Sequence, residues 1–169
     1  MLKTVSLFAG CGGLDLGFEN AGFNIVWAND FNKKVEETYK RNHKDTELVI
    51  KSIVDIKPEE IPDCDVIIGG PPCQSWSAAG AGRGKEDSRG QLFYDYIRLI
   101  KAKRPIAFVA ENVKGIVSKK HIESFKEIVS LFDDAGYTVT TKVLNAKNYG
   151  VPQDRERVFI VGTLKELDI

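Results

Sequence analysis

The sequence predicts a doubly wound α/β sheet, and three observations carry that reading. Short apolar runs alternate with helix-like stretches along most of the chain, an order that builds a parallel sheet covered on both sides. The runs are nearly continuous in apolar character, as strands buried on both faces should be. After Gly136 the alternation stops and two strand-like runs follow in succession, which places one antiparallel strand near an edge.

In chain order, "TVSLF" (4–8), "NIVWAN" (24–29), "ELVI" (47–50), "DVIIGG" (65–70) and "IAFVAEN" (106–112) read as strands, followed by "YTVTTKVLN" and "RVFIVG". Helices are predicted over 14–22, 32–43, 92–103 and 119–135, with Gly22, Gly115 and Gly136 marking segment ends. In the third helix Leu92, Phe93, Tyr96, Ile97 and Ile100 fall on one stripe at helical spacing.

At 169 residues, 43% hydrophobic and 28% charged, the chain suits one globular domain, 1–169, with a sizeable core. No apolar run approaches a membrane span, and the N-terminal apolar stretch is short for a signal peptide, so a cytoplasmic protein is expected. Three cysteines, Cys11, Cys64 and Cys73, fit a reducing compartment, and His43 and His121 lie far from any cysteine pair, so no metal site is expected. Lysine plus arginine equal aspartate plus glutamate at 24 each, which leaves room only for local basic patches.

Ligands of such sheets collect outside the carboxyl ends of the parallel strands, so the strand exits hold the candidate site residues. The first, "FAGCGGLDLG", is a glycine loop (Ala9, Gly10, Gly12, Gly13) entered through Phe8. Asp15 stands where the nicotinamide fingerprint needs a third glycine, and a phosphate loop's Lys-Ser/Thr is absent. The second exit offers Asp30, about 20 residues after the first glycine, for ribose hydroxyls, and Phe31 for an adenine face. The third offers Asp55 and Ile56 at an adenine edge. An adenosine cofactor without a pyrophosphate, S-adenosylmethionine, suits this set.

The fourth exit delivers the chain into Pro71-Pro72-Cys73, a rigid platform that puts a thiol at the ligand edge, followed to Gly90 by a stretch with no periodicity. Cys73 there reads as a nucleophile, whereas Cys64 sits close to a strand as a packing residue would. Arg83, Lys85 and Arg89 in the stretch could meet phosphates. Glu111 and Asn112 close the fifth strand at the same edge. If the last strand is antiparallel, its start brings Arg155 and Arg157, which share one face, to that edge too.

"FAGCGGLDLGFENAGF", "GGPPCQSWS", "ENVKG" and "NYGVPQDRERVFIVG", in this order, resemble the cytosine-5 DNA methyltransferases, from Lys3 to Gly162. The resemblance implies the seven-stranded sheet of S-adenosylmethionine-dependent methyltransferases. It implies cofactor contacts from Phe8, the glycine loop, Asp30, Phe31, Asp55, Ile56, Pro72 and Leu92. Cys73 then matches the nucleophile, Glu111 the acid that engages the base, and Arg157 a residue holding the flipped cytosine, with Gln153 and Arg155 in the same motif. Double-stranded DNA is the implied partner. Family members continue with a target-recognition region and a late helix, neither of which is in this sequence, so it is expected to be either one half of a split enzyme, with a second polypeptide carrying them, or a fragment. Two other readings stand beside this one: an RNA cytosine-5 methyltransferase of the same fold, and a non-catalytic regulatory subunit, against which intact Cys73, Glu111 and Arg157 argue.

Overall fold

The computed structural model describes residues 1–72 and 88–167. Its elements run β1 (Lys3–Leu7), α1 (Gly13–Asn20), β2 (Asn24–Asp30), α2 (Glu36–Asn42), β3 (Glu47–Ile50), β4 (Val66–Gly69), α3 (Ser88–Lys103), β5 (Ala107–Val113), α4 (Ile122–Asp134), β6 (Tyr137–Asn145) and β7 (Glu156–Leu164). The strands form one sheet in the order β3-β2-β1-β4-β5-β7-β6. Every pairing from β3 to β5 is parallel, and β7 runs antiparallel between β5 and β6. The expected antiparallel strand is therefore β7, second from the edge.

Strand periodicity sends alternate residues to opposite faces, and each face meets its own layer. Val5, Leu7, Ile67, Phe108, Val158 and Ile160 face α3 and α4, where Phe108 stacks on Phe132 at 4.2 Å and meets Tyr137 edge-on. The opposite face carries Ile25, Val66 and Ile68 against Leu14 and Phe18 of α1. On α4, Phe125, Ile128 and Phe132 recur at helical spacing and are buried. The second face is not wholly apolar: Thr4 and Ser6 of β1 are buried there, and this polarity turns out to serve the site.

Several helix bounds differ from the sequence pattern, α1 ending at Asn20 and α4 beginning at Ile122 among them. The expected helix over 32–43 splits into a 3₁₀ turn, Lys33–Val35, and α2, because the Asn32 side chain accepts from the Lys34 N–H and starts a tighter turn. The third helix starts at Ser88, four residues before the apolar stripe begins.

Candidate active site

Five strand exits and the start of β7 converge on one edge. The first turn leaves β1 through Phe8, a non-glycine residue held at φ 56°, the kind of backbone strain that clusters at ligand sites. The loop behind it is tied down locally. Ala9 N–H donates to Asn29 O at 3.0 Å, Gly12 N–H to Ala9 O at 2.9 Å, and Gly10 N–H to Asp30 Oδ2 at 2.9 Å. Asp30 Oδ1 accepts from Asn32 N–H at 2.8 Å. The acid expected to hold a ribose thus also holds the glycine loop, a role no sequence spacing signals. A carboxylate has about four acceptor positions, so two bonds leave capacity for hydroxyls.

Beside Asp30 lies a hollow of about 130 Å³ lined by Phe8, Asn29, Phe31, Ser52, Ile53 and Leu92. Phe31 stands 73% exposed, its ring free to cover a planar base. The hollow brings Phe8, Phe31 and Leu92 together as expected. It differs at the third exit: the Ile56 side chain is buried in the core, and Ser52 and Ile53 border the hollow instead, with Asp55 exposed on the same 3₁₀ turn. Exposed acid, apolar hollow and spare carboxylate acceptors fit an adenosine group.

Behind the glycine loop sits a buried polar cluster that sequence reasoning passed over. Asp15, fully buried in the first turn of α1, accepts from Ser6 Oγ at 2.6 Å and from Tyr39 OH at 2.5 Å. Burial pushes the Asp15 carboxyl above its usual range, against the lowering effect of these two bonds. Burial, and then the Asp15 charge, push the Tyr39 hydroxyl up as well. His43, 3% exposed, packs its ring 4.5 Å from Tyr39 and meets the Glu19 carboxylate through Nδ1 at 3.0 Å. The residue that breaks the nicotinamide fingerprint therefore ties the start of α1 to β1 and to α2.

The second half of the edge carries charge. Glu111 pairs with Phe159 across β5 and β7, so Arg157, two residues earlier, shares its face. Arg157 Nε meets Glu111 Oε1 at 2.8 Å, and Arg157 Nη1 donates to Glu156 O at 2.8 Å. A β-carbon on Gly70 would lie 3.3 Å from Glu111 Oε2, so this pair abuts the chain just before Pro71-Pro72. Asn112, buried on the other face, donates through Nδ2 to Pro71 O at 2.8 Å and fixes the start of the proline platform. Arg155 is exposed and borders the same space as Arg157. Cys73 lies outside the described residues, as do Arg83 and Lys85 and the side chain of Arg89. Cys64, by contrast, is a half-buried thiol that desolvation pushes up to about 11, which marks it as unreactive.

A cleft of about 720 Å³ joins the two halves, bordered by Phe8, the start of α1, Gly70, Glu111, Arg155 and Arg157. Phe8 borders both the cleft and the hollow, so one continuous surface runs from adenine-sized space to the Glu111–Arg157 pair. Among the described residues no helix is long and apolar enough to cross a membrane.

The family model for C-5 cytosine-specific DNA methylases matches residues 2–169. The chain is 57% identical over 168 residues to the type II methyltransferase M.FnuDI of Fusobacterium nucleatum, covering 99% of this chain and 48% of that protein. It is 53% identical to M.NgoPII of Neisseria gonorrhoeae, with 99% and 50% covered. Among solved structures, a DNA modification methyltransferase encoded within an E. coli prophage superposes with a TM-score of 0.86 at 31% identity, covering 100% of this chain and 48% of that one. A mutant DNMT2 of Spodoptera frugiperda superposes at 0.80 and 25% identity, covering 99% and 51%. The chain spans about half the length of the relatives it matches.

Proposed function

The chain belongs to the C-5 cytosine-specific DNA methylase family, and we propose on that premise that it is the catalytic, cofactor-binding half of an enzyme that methylates carbon 5 of cytosine in double-stranded DNA. The observation that carries the proposal is the Glu111–Arg157 pair beside Gly70, three residues before Cys73, in the same cleft as the glycine loop.

Carbon 5 of cytosine is a poor nucleophile within its aromatic ring. The Cys73 thiolate adds to carbon 6, forming a carbon–sulfur bond and moving the ring's electron pair toward carbon 5. Glu111 engages the ring nitrogen, and Arg157 stabilises negative charge that develops on the carbonyl oxygen. When bound, S-adenosylmethionine supplies an electrophilic methyl group for carbon 5. Loss of the carbon 5 proton then restores the ring double bond and expels the thiolate. Asp30 would hold the cofactor's ribose, and Phe31, Ser52, Ile53, Asp55 and Leu92 would surround its adenine. The cytosine is flipped out of the duplex, because neither face of carbon 6 is accessible in the base stack.

A second polypeptide that reads the target bases completes the enzyme. Open apolar side chains at the cleft support this part: Tyr149 and Val151, which line it, are 65% and 46% exposed. Duplexes carrying 5-fluorocytosine test the chemistry in the assembled enzyme, since fluorine blocks the final elimination. The wild type should form a covalent adduct, and Cys73→Ser should lose adduct and turnover together. Near-normal methylation by Cys73→Ser would overturn the mechanism. Efficient site-specific methylation by this chain alone would overturn the need for a second polypeptide.

A further inference from the structure

The turn beside the adenine-sized hollow is held from both sides, by Asn29, which also lines the hollow, and by Arg98, which does not. From β2, the buried Asn29 amide donates to Val49 O at 3.0 Å and to Lys51 O at 2.8 Å. From α3, Arg98 Nη2 donates to Ile53 O at 3.0 Å and Arg98 Nη1 to Ile56 O at 3.1 Å. The third edge of the same guanidinium, Nε, donates to Asp95 Oδ1 at 2.9 Å. The Asp95 side chain is 6% exposed, so the guanidinium is oriented by a carboxylate fixed in the protein interior.

The planar fork of arginine matches this task. Its donors leave in fixed directions, so two carbonyls on either side of Asp55 are held at one separation while Asp95 sets the plane. Lysine would bring charge without that fork. The arginine also sits on the helix that contributes Leu92 to the hollow, two turns earlier in sequence. One helix therefore supplies both a wall of the hollow and the brace of the turn opposite.

We propose that Arg98, oriented by Asp95, is a positioning residue for purine discrimination: it holds the Ile53–Asp55 turn so that Asp55 and Ser52 meet the amino-bearing edge of an adenine base. The inference rests on the reading that the hollow takes the adenine of the cofactor. Its consequence is selectivity. With the turn held, the acceptor at Asp55 favours a 6-amino purine over a 6-oxo purine. With the brace removed, the hollow's apolar walls still take either base and the preference shrinks.

The test is a ratio of affinities measured on the assembled enzyme, so that every group bordering the cofactor is present. Equilibrium dialysis with labelled S-adenosylhomocysteine and with its 6-oxo purine analogue gives the ratio for wild type, Arg98→Lys, Arg98→Met and Asp95→Asn. Because both ligands are compared on the same variant, a general loss of stability cancels. The wild type should prefer the adenine ligand by roughly tenfold or more, the worth of a hydrogen bond to a charged group. Arg98→Lys and Arg98→Met should bring the ratio close to one, and Asp95→Asn should lower it by a smaller factor. Variants that keep the wild-type ratio would overturn the role of Arg98 while leaving the cofactor reading intact. A wild type that binds neither ligand would overturn the cofactor reading and this inference with it.

Discussion

Two alanine substitutions, two residues apart in the glycine loop, should differ severalfold in cost. Gly10 and Gly12 both adopt left-handed backbone, at φ 57° and 84°. An L side chain there costs roughly 1–2 kcal/mol from the close approach of its β-carbon to the carbonyl oxygen. At Gly10 that is the whole penalty, because a β-carbon would meet no atom within 4 Å. At Gly12 it would lie 2.0 Å from His43 Nε2 and 2.5 Å from Cδ2. The imidazole has little freedom to yield, being 3% exposed, stacked on Tyr39 and bonded to Glu19. Overpacking of this kind adds about 1–3 kcal/mol. Gly10→Ala should therefore cost about 1–2 kcal/mol, and Gly12→Ala about 2–5 kcal/mol on the same grounds. Urea denaturation of both variants reads the difference. A cycle with His43→Ala separates its parts: the double variant should recover the steric share and keep the backbone share, with coupling of about 1–3 kcal/mol. Equal losses at Gly10 and Gly12, or strict additivity with His43→Ala, would refute the idea that the histidine is seated against the loop.

Other residues of the edge give further expectations. Asn112→Ala strips the buried Pro71 carbonyl of its donor, so it should cost about 1–3 kcal/mol in denaturation and slow methyl transfer while leaving cofactor affinity unchanged. Glu111→Gln keeps the volume and removes the charge, and single-turnover methylation in the assembled enzyme should fall by on the order of 10²- to 10⁴-fold. A rate within threefold (roughly) of wild type would exclude Glu111 from proton or hydrogen-bond transfer to the base. Asp15 sets a pH dependence, because burial raises its folded carboxyl above the unfolded value. The folded state then binds more protons across that window, so wild-type stability declines as pH rises from the unfolded to the folded value and levels off above it. Denaturation of wild type and Asp15→Asn from acidic to neutral pH should show the wild type losing stability relative to the variant through that window, and a relative gain would contradict the assignment.

Apolar continuity and element order carried most of the fold in the sequence. The run after Gly136 even located the antiparallel strand, and with it the arrival of Arg157 at the edge where Glu111 ends. What the pattern could not carry were side chains that bond to distant backbone. Arg98 reaches carbonyls 42 and 45 residues away, and Asn112 reaches one 41 residues away. Such bonds impose no period on the neighbouring sequence, so Arg98 reads as an ordinary solvent-facing helix charge. The Ile56 difference has a similar origin. Both Ile53 and Ile56 are apolar and both are buried in the core, and only the 3₁₀ turn decides that Ile53 also borders the hollow while Ile56 does not. Asp30 was readable as a ligand-edge acid from its place after β2, but its grip on Gly10 depends on how the loop folds back.

The antiparallel course of β7 also brings its end to the same side of the sheet as the start of β1. β1 begins, and β7 ends, on the edge of the sheet remote from the cleft, with Lys3 N–H tied to Asp65 Oδ2 at 2.7 Å. Between those two points lie only the β1–β4, β4–β5 and β5–β7 spacings, roughly 14 Å at about 4.8 Å each. About five extended residues would bridge that gap. A link closed there would leave the sheet order untouched, and a fluorophore attached at either point would stand clear of the cleft.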